Sequence, residues 1–153
     1  MKFASYDIVF QEVPDEVTLA VNITGCPNRC PGCHSPHLWE DTGRELDEQA
    51  LSSLLADYGQ LITCIALMGG DADLTILYRL AAWIHSQGYK TAWYSGRYEL
   101  PEDCPLDLFD YIKIGPYIEA CGGLKSPTTN QRLYRITNRE LTDITYRLQR
   151  QHT

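Results

Sequence analysis

Four short segments, rich in aliphatic, β-branched and aromatic residues, each end in a glycine or in a compact turn that contains one. Strands commonly run about 4–8 residues, so the length of these runs favours buried strands over helices. The runs span residues 17–24, 64–68, 90–94 and 110–114, and they lead into Gly25, Gly69, Ser95 and Gly115. A chain with this pattern is expected to fold around a buried sheet.

Helical periodicity appears between these runs. Residues 47–58 and 73–87 each place apolar side chains along one stripe, which predicts two helices, and residues 138–150 show a similar spacing that predicts a third. Residues 5–11 and 133–136 are expected to add a first and a last short strand. Alternation of strands with helices indicates an α/β fold.

The turns that follow the apolar runs are expected to lie close together in space. In parallel α/β folds, ligands bind beyond the carboxyl ends of the strands. The loop that begins at Gly25, the turns at Gly69 and Ser95, and the turn at Gly115 are therefore predicted to form one rim.

Length and charge exclude several classes of function. The 153 residues suit a single domain spanning 1–153. A net charge of −7 argues against a broad surface for nucleic acid or anionic membranes, so neither is expected as a partner. No apolar run approaches the roughly 20 residues of a membrane span, and the first residues lack the apolar stretch of a signal peptide. A cytoplasmic chain is expected.

Three of the six cysteines lie together in the run C-P-N-R-C-P-G-C. They are Cys26, Cys30 and Cys33, whereas Cys64, Cys104 and Cys121 are scattered. Secreted disulfide scaffolds are normally shorter and denser in cysteine, so the cluster indicates metal binding or catalysis. Cys64 lies in an apolar run and is expected in the core, and Cys104 and Cys121 are expected to be exposed loop thiols.

Three clustered thiolates leave two kinds of metal site open. A closed zinc site needs four ligands, and His34 is the candidate for the fourth. Side chains of the adjacent Cys33 and His34 tend to diverge, which makes that arrangement awkward. A four-iron cluster normally takes one cysteine for each iron, so three cysteines would leave one iron open for a ligand.

The spacing C-x3-C-x2-C after an early strand resembles the radical S-adenosylmethionine superfamily. That resemblance implies that Cys26, Cys30 and Cys33 hold a 4Fe-4S cluster whose open iron binds S-adenosylmethionine. Gly32 stands where most members have an aromatic residue, as it does in the activating proteins of anaerobic ribonucleoside-triphosphate reductases. The run from Cys30 to His34, followed by Trp39, also resembles the cluster loop of that subgroup.

Later segments extend the resemblance over most of the chain. Residues 68–71 resemble the family's glycine-glycine-glutamate strand end, with Asp71 in place of glutamate. Residues 94–99, 110–117 and 126–132 resemble three further family segments, although Ile114 replaces a usual aspartate. The resemblance implies S-adenosylmethionine contacts at Gly32, Cys33, His34, Gly69, Gly70, Asp71 and Ser95.

The implied activity is the removal of a hydrogen atom from one glycine of the catalytic subunit of an anaerobic ribonucleoside-triphosphate reductase. An external one-electron donor such as flavodoxin would reduce the cluster. A complete (β/α)8 barrel needs about 250 residues, so the resemblance implies a partial TIM-type barrel of parallel strands with outer helices.

Two alternatives remain open from the sequence. One is another small radical S-adenosylmethionine enzyme, such as a different glycyl-radical activase or a deazaguanine synthase. The other is a zinc-stabilised binding module without catalysis.

Overall fold

The structure is a computed structural model that describes residues 1–28, 40 and 42–149. Within these ranges, no helix has the length and apolarity needed to cross a bilayer. The strands are β1 (Lys2–Val9), β2 (Thr18–Ile23), β3 (Arg44–Glu45), β4 (Cys64–Met68), β5 (Lys90–Tyr94), β6 (Tyr111–Ile114), β7 (Arg132–Thr137) and β8 (Glu140–Asp143). The helices are α1 (Glu48–Tyr58) and α2 (Leu74–Ser86), and two short 3-10 turns span Leu106–Leu108 and Thr145–Leu148.

All eight described strands belong to one sheet in the order β3-β1-β2-β4-β5-β6-β7-β8. The four central strands, β2, β4, β5 and β6, are parallel to one another. The strands on both sides of this group pair antiparallel. The fold is therefore mixed α/β, and its sheet has parallel strands at the centre and antiparallel strands on both sides. Closure of the sheet into a partial barrel stays a prediction.

The two faces of the central strands bury different side chains, because successive residues of a strand point to opposite faces. On β4, Ile65 and Leu67 pack against the two helices in one core, which we call the helix-side core. Cys64 and Ala66 pack on the other face, in a smaller cluster that we call the far-side core. The far-side core is closed by Val13, Leu133, Ile144 and Leu148.

Both predicted helices between the central strands are confirmed, with acidic caps at their amino ends. The Asp47 carboxylate accepts a hydrogen bond from the Ala50 amide at 2.8 Å, and α1 begins at the next residue. The Asp73 carboxylate accepts a hydrogen bond from the Ile76 amide at 3.1 Å, at the start of α2. Each cap satisfies a backbone donor that the helix itself leaves without a partner.

The helix predicted over 138–150 is wrong. Asn138 and Arg139 have positive φ angles of 53° and 67° and form the two-residue turn of a hairpin between β7 and β8. Such a turn matches the twist of the flanking strands. The spacing of Leu141, Ile144 and Leu148 resembled a helical stripe, but Leu141 is 39% exposed while the other two are buried.

Candidate metal and cofactor site

The carboxyl ends of the four parallel strands meet at one edge of the sheet, which we call the rim. Asn22, Met68, Tyr94 and Lys113 are register partners across β2, β4, β5 and β6. The turns that follow these residues lie side by side, and the Gly69 amide donates to the Tyr94 carbonyl at 3.0 Å. The predicted convergence of the turns is confirmed for the described residues.

The cysteine loop begins at this rim, directly after β2. The Gly25 amide donates to the Glu40 carbonyl at 3.1 Å, so both ends of the loop are fixed at one point. Cys26 follows as a free, half-buried thiol. The predicted roles of Cys30, Gly32, Cys33 and His34 lie outside the described residues.

The turn after β4 requires glycine for its backbone conformation. Gly69 and Gly70 have φ angles of 119° and 92°, which side-chain-bearing residues rarely adopt. A Cβ atom on Gly70 would lie 2.8 Å from Cδ1 of Leu77, on the first turns of α2. The Gly69 carbonyl accepts from the indole nitrogen of Trp93 at 3.0 Å. These contacts give both glycines a structural role at the rim.

Asp71 joins the rim segments to one another. Its Oδ1 accepts from the Ser95 hydroxyl at 2.7 Å, and its Oδ2 accepts from the Gly96 amide at 2.9 Å and from the Asn28 side-chain amide at 2.7 Å. The residue is only 7% exposed, so each oxygen depends on these protein donors. Asp71 therefore connects the cysteine loop to β4 and β5, and the capping of α2 belongs to Asp73.

A cation and a hydroxyl complete the surroundings of Asp71. Arg97 Nε lies 3.7 Å from Asp71 Oδ1, and Arg97 Nη2 donates to the Asp71 carbonyl at 3.2 Å. Ser95 is fully buried, and its hydroxyl also accepts from the Arg97 amide at 3.0 Å. In this arrangement, the Ser95 hydroxyl supports the rim by holding Asp71.

A cavity of about 460 Å³ opens next to the cysteine loop, between the ends of β5 and β6. Its lining consists of Asn28, Gly96, Arg97, Tyr98, Glu99, Pro116, Tyr117 and Ile118. The combination of aromatic rings, an arginine and a carboxylate can hold a mid-sized polar ligand. Most of this lining comes from residues 94–99 and 110–117, the two segments around β5 and β6 that resemble family segments.

Two residues of the 126–132 segment hold the turn after β6. The Asn130 side-chain amide donates to the Pro116 carbonyl at 3.0 Å, and the Gln131 side-chain amide donates to the Gly115 carbonyl at 3.3 Å. Gln131 is itself buried. The segment therefore supports the cavity wall from behind, which identifies a loop-stabilising role for these amides.

Sequence reasoning did not identify Asn28 or Arg97 as site residues. Asn28 and Asp71 are 43 residues apart, and nothing in the local sequence marks them as partners. The one available signal was position, since Asn28 lies between two cysteines of the motif and Arg97 directly follows the Ser95-Gly96 turn.

Two of the three scattered cysteines, Cys64 and Cys104, lie in the buried cores. Cys64 is fully buried as predicted, and burial, with the nearby Glu16 carboxylate, raises the pKa of its thiol to about 12. The prediction of an exposed Cys104 is wrong, because it packs in the helix-side core and is 8% exposed. Burial likewise raises the pKa of the Cys104 thiol. Cys121 is half-buried.

The surroundings of Cys26 suit a cysteine that binds an iron–sulfur cluster. Cys26 is an unbridged thiol at the rim, with the Asn28 amide nitrogen 3.7 Å from its sulfur. Cysteine thiolates that bind iron–sulfur clusters commonly accept N–H hydrogen bonds of this kind. Among the described residues alone, no group of three or more histidine, cysteine or carboxylate side chains could hold a metal ion.

Comparison with known proteins identifies the class of cofactor. Residues 16–120, which make up more than half of the chain, match the sequence family described as "4Fe-4S single cluster domain". The matched region contains the cysteine loop and all the turns of the rim. Neither a curated protein nor a solved structure matches the chain.

Proposed function

Because the chain belongs to the 4Fe-4S single cluster domain family, we propose that it is a radical S-adenosylmethionine activase. Its protein substrate is one glycine in the catalytic subunit of an anaerobic ribonucleoside-triphosphate reductase. The observation that supports this proposal is the position of the three-cysteine motif. The motif begins at the carboxyl end of β2, on the same rim as a double-glycine turn and a cavity.

Cys26, Cys30 and Cys33 are the proposed ligands of the cluster, and the motif supplies no fourth cysteine. A cluster held by these thiolates would supply the single electron needed to cleave S-adenosylmethionine into methionine and a 5′-deoxyadenosyl radical. That radical takes a hydrogen atom from the glycine α-carbon, leaving 5′-deoxyadenosine and a glycyl radical. An external donor such as flavodoxin supplies the electron.

The chain's own residues bind and orient the small substrate. Gly69 and Gly70 bring bare backbone to the rim beside the cysteine loop, where main-chain groups can reach the ammonium of S-adenosylmethionine. Asp71 and Ser95 support this contact indirectly, since their side chains hold one another at 2.7 Å. We propose positioning roles for these two side chains, and backbone contacts at the two glycines.

The cavity beside the loop provides room for the remainder of the ligand. Arg97 is about one-third exposed at its wall, and Tyr98 is 75% exposed at its mouth. The open mouth suits a substrate that is a segment of another protein. Once the segment docks, exclusion of water would protect a radical from side reactions.

The test is formation of a glycyl radical on the reductase of the same genome. We expect anaerobically reconstituted, reduced protein to convert S-adenosylmethionine to 5′-deoxyadenosine and to give the glycyl radical signal in electron paramagnetic resonance. Cys30→Ala removes a proposed ligand and is expected to abolish both. A variant that retains full cleavage would refute the ligand assignment.

The same experiment separates the alternatives. 5′-Deoxyadenosine without a glycyl radical on the reductase would indicate a different small radical S-adenosylmethionine enzyme. Neither product, with zinc in place of iron in anaerobically purified protein, would indicate a zinc-stabilised binding module.

A further inference from the structure

The side chain of Asn28 connects the cysteine loop to the sheet. Its amide nitrogen donates to Asp71 Oδ2 at 2.7 Å and lies 3.7 Å from the sulfur of Cys26. A carboxylate only accepts hydrogen bonds, so the nitrogen rather than the oxygen of the amide must face Asp71. The amide has two hydrogens, and with one on Asp71 the other is free for the sulfur.

The surroundings of Asn28 are built to hold this orientation. A Cβ atom on Gly96 would lie 2.6 Å from the amide nitrogen of Asn28 and 3.0 Å from its Cγ, so only glycine leaves room for the side chain. The Gly96 amide meanwhile donates to the same Asp71 oxygen that Asn28 contacts. Position 96 therefore both admits the amide and helps to fix its acceptor.

We propose that Asn28 is a positioning residue for the cluster, which holds the Cys26 sulfur through an N–H···S hydrogen bond and raises the reduction potential. Hydrogen bonds to cluster sulfurs stabilise the reduced state, which carries the extra negative charge. Asp71 acts through Asn28, because its buried carboxylate determines where the amide points. This inference rests on the part of the proposed function that makes Cys26 a cluster ligand.

The test is a potentiometric titration of the anaerobically reconstituted cluster, followed by electron paramagnetic resonance. The hydrogen bond is stronger in the reduced state, which carries more negative charge on the sulfur. Asn28→Ala is therefore expected to lower the ratio of reduced to oxidised cluster about tenfold at the wild-type midpoint. For a one-electron couple, a tenfold change is a shift of about 59 mV, here towards more negative potential.

Gly96→Ala provides an independent test of the same contact. It retains the Asn28 and Asp71 side chains but forces the amide away, so a shift in the same direction is expected. Gln87→Ala is the control, since the Gln87 side-chain amide donates to Ser86 at the exposed carboxyl end of α2. The potential of this variant should equal that of the wild type.

An unchanged potential in Asn28→Ala with full iron content would overturn the inference. If Asn28→Ala does not retain the cluster, Gly96→Ala decides, and a wild-type potential in that variant overturns the inference in the same way. The titration contains neither S-adenosylmethionine nor the reductase. If Asn28→Ala shifts the reduction potential as expected but the wild type forms no 5′-deoxyadenosine, the inference about Asn28 stands and the proposed activase function is rejected.

Discussion

At the scale of single residues, Asp71 is the side chain on which the rim most depends. Asp71→Ala leaves a buried hydroxyl, the Gly96 amide and part of Arg97 without their acceptor. We expect a loss of about 2–4 kcal/mol in the free energy of unfolding, reduced from a fully buried pair because Arg97 is partly exposed. Urea unfolding measures it.

Ser95→Ala is the comparison for that prediction, because it removes one donor to Asp71 and the acceptor of the Arg97 amide but leaves the other donors to Asp71 in place. Its expected loss is smaller, about 1–2 kcal/mol. Equal stability of Asp71→Ala and wild type would contradict the account of the rim.

Asp15 provides a prediction about pH. Both of its oxygens bind the Arg147 guanidinium, at 2.6 and 2.7 Å, and this hydrogen bonding holds the pKa of Asp15 below its ordinary value of 3.8. Because the pKa of Asp15 is lower in the folded state, the ionised side chain stabilises the fold at pH values above 3.8. That stabilisation disappears as the pH falls through the folded-state pKa. The residue has a φ of 70°, which asparagine tolerates.

We therefore expect Asp15→Asn to unfold at lower urea than the wild type at pH 7, and the difference to shrink when both are measured near pH 3. Arg147→Gln removes the cation of the same pair, and its stability difference from the wild type should also shrink near pH 3. A difference that grows on acidification would show that the pair does not stabilise the fold in this way.

At the scale of elements, the final 3-10 turn covers the far-side core. Leu148 is 4% exposed there, whereas Tyr146 in the same turn is 57% exposed. Leu148→Ala is expected to cost about 2–4 kcal/mol by leaving a cavity, while Tyr146→Ala should change stability by about 0.5 kcal/mol or less. Urea unfolding of the two variants side by side tests whether this segment packs as described.

The same segment shows where sequence reasoning fails. Its apolar spacing fits a helix, yet a hairpin turn at Asn138 and Arg139 sets the backbone instead. Local spacing was sufficient for β4 and β5, whose predicted bounds of 64–68 and 90–94 equal the observed ones. The central residues of those strands are buried on both faces of the sheet, whereas β8 is exposed along its length and has no buried, apolar pattern to mark it.

At the scale of the whole molecule, the rim could be predicted but its internal connections could not. Glycine turns after parallel strands indicate a shared edge because strand direction alone brings them together. The contact of Asn28 with Asp71 depends on the three-dimensional approach of a loop to a turn 43 residues away, which no local pattern encodes. The family match indicates a 4Fe-4S cluster, and the arrangement of the rim residues supports the proposed binding of S-adenosylmethionine beside it.

The central claim is that the cluster held by Cys26, Cys30 and Cys33 keeps one iron open for S-adenosylmethionine. Electron–nuclear double resonance of the reduced protein with S-adenosylmethionine carrying a ¹⁵N-labelled amino group tests it most directly. The account predicts a ¹⁵N coupling to the cluster that disappears when unlabelled S-adenosylmethionine replaces the labelled compound. A reduced cluster that shows no such coupling at saturating S-adenosylmethionine would contradict it.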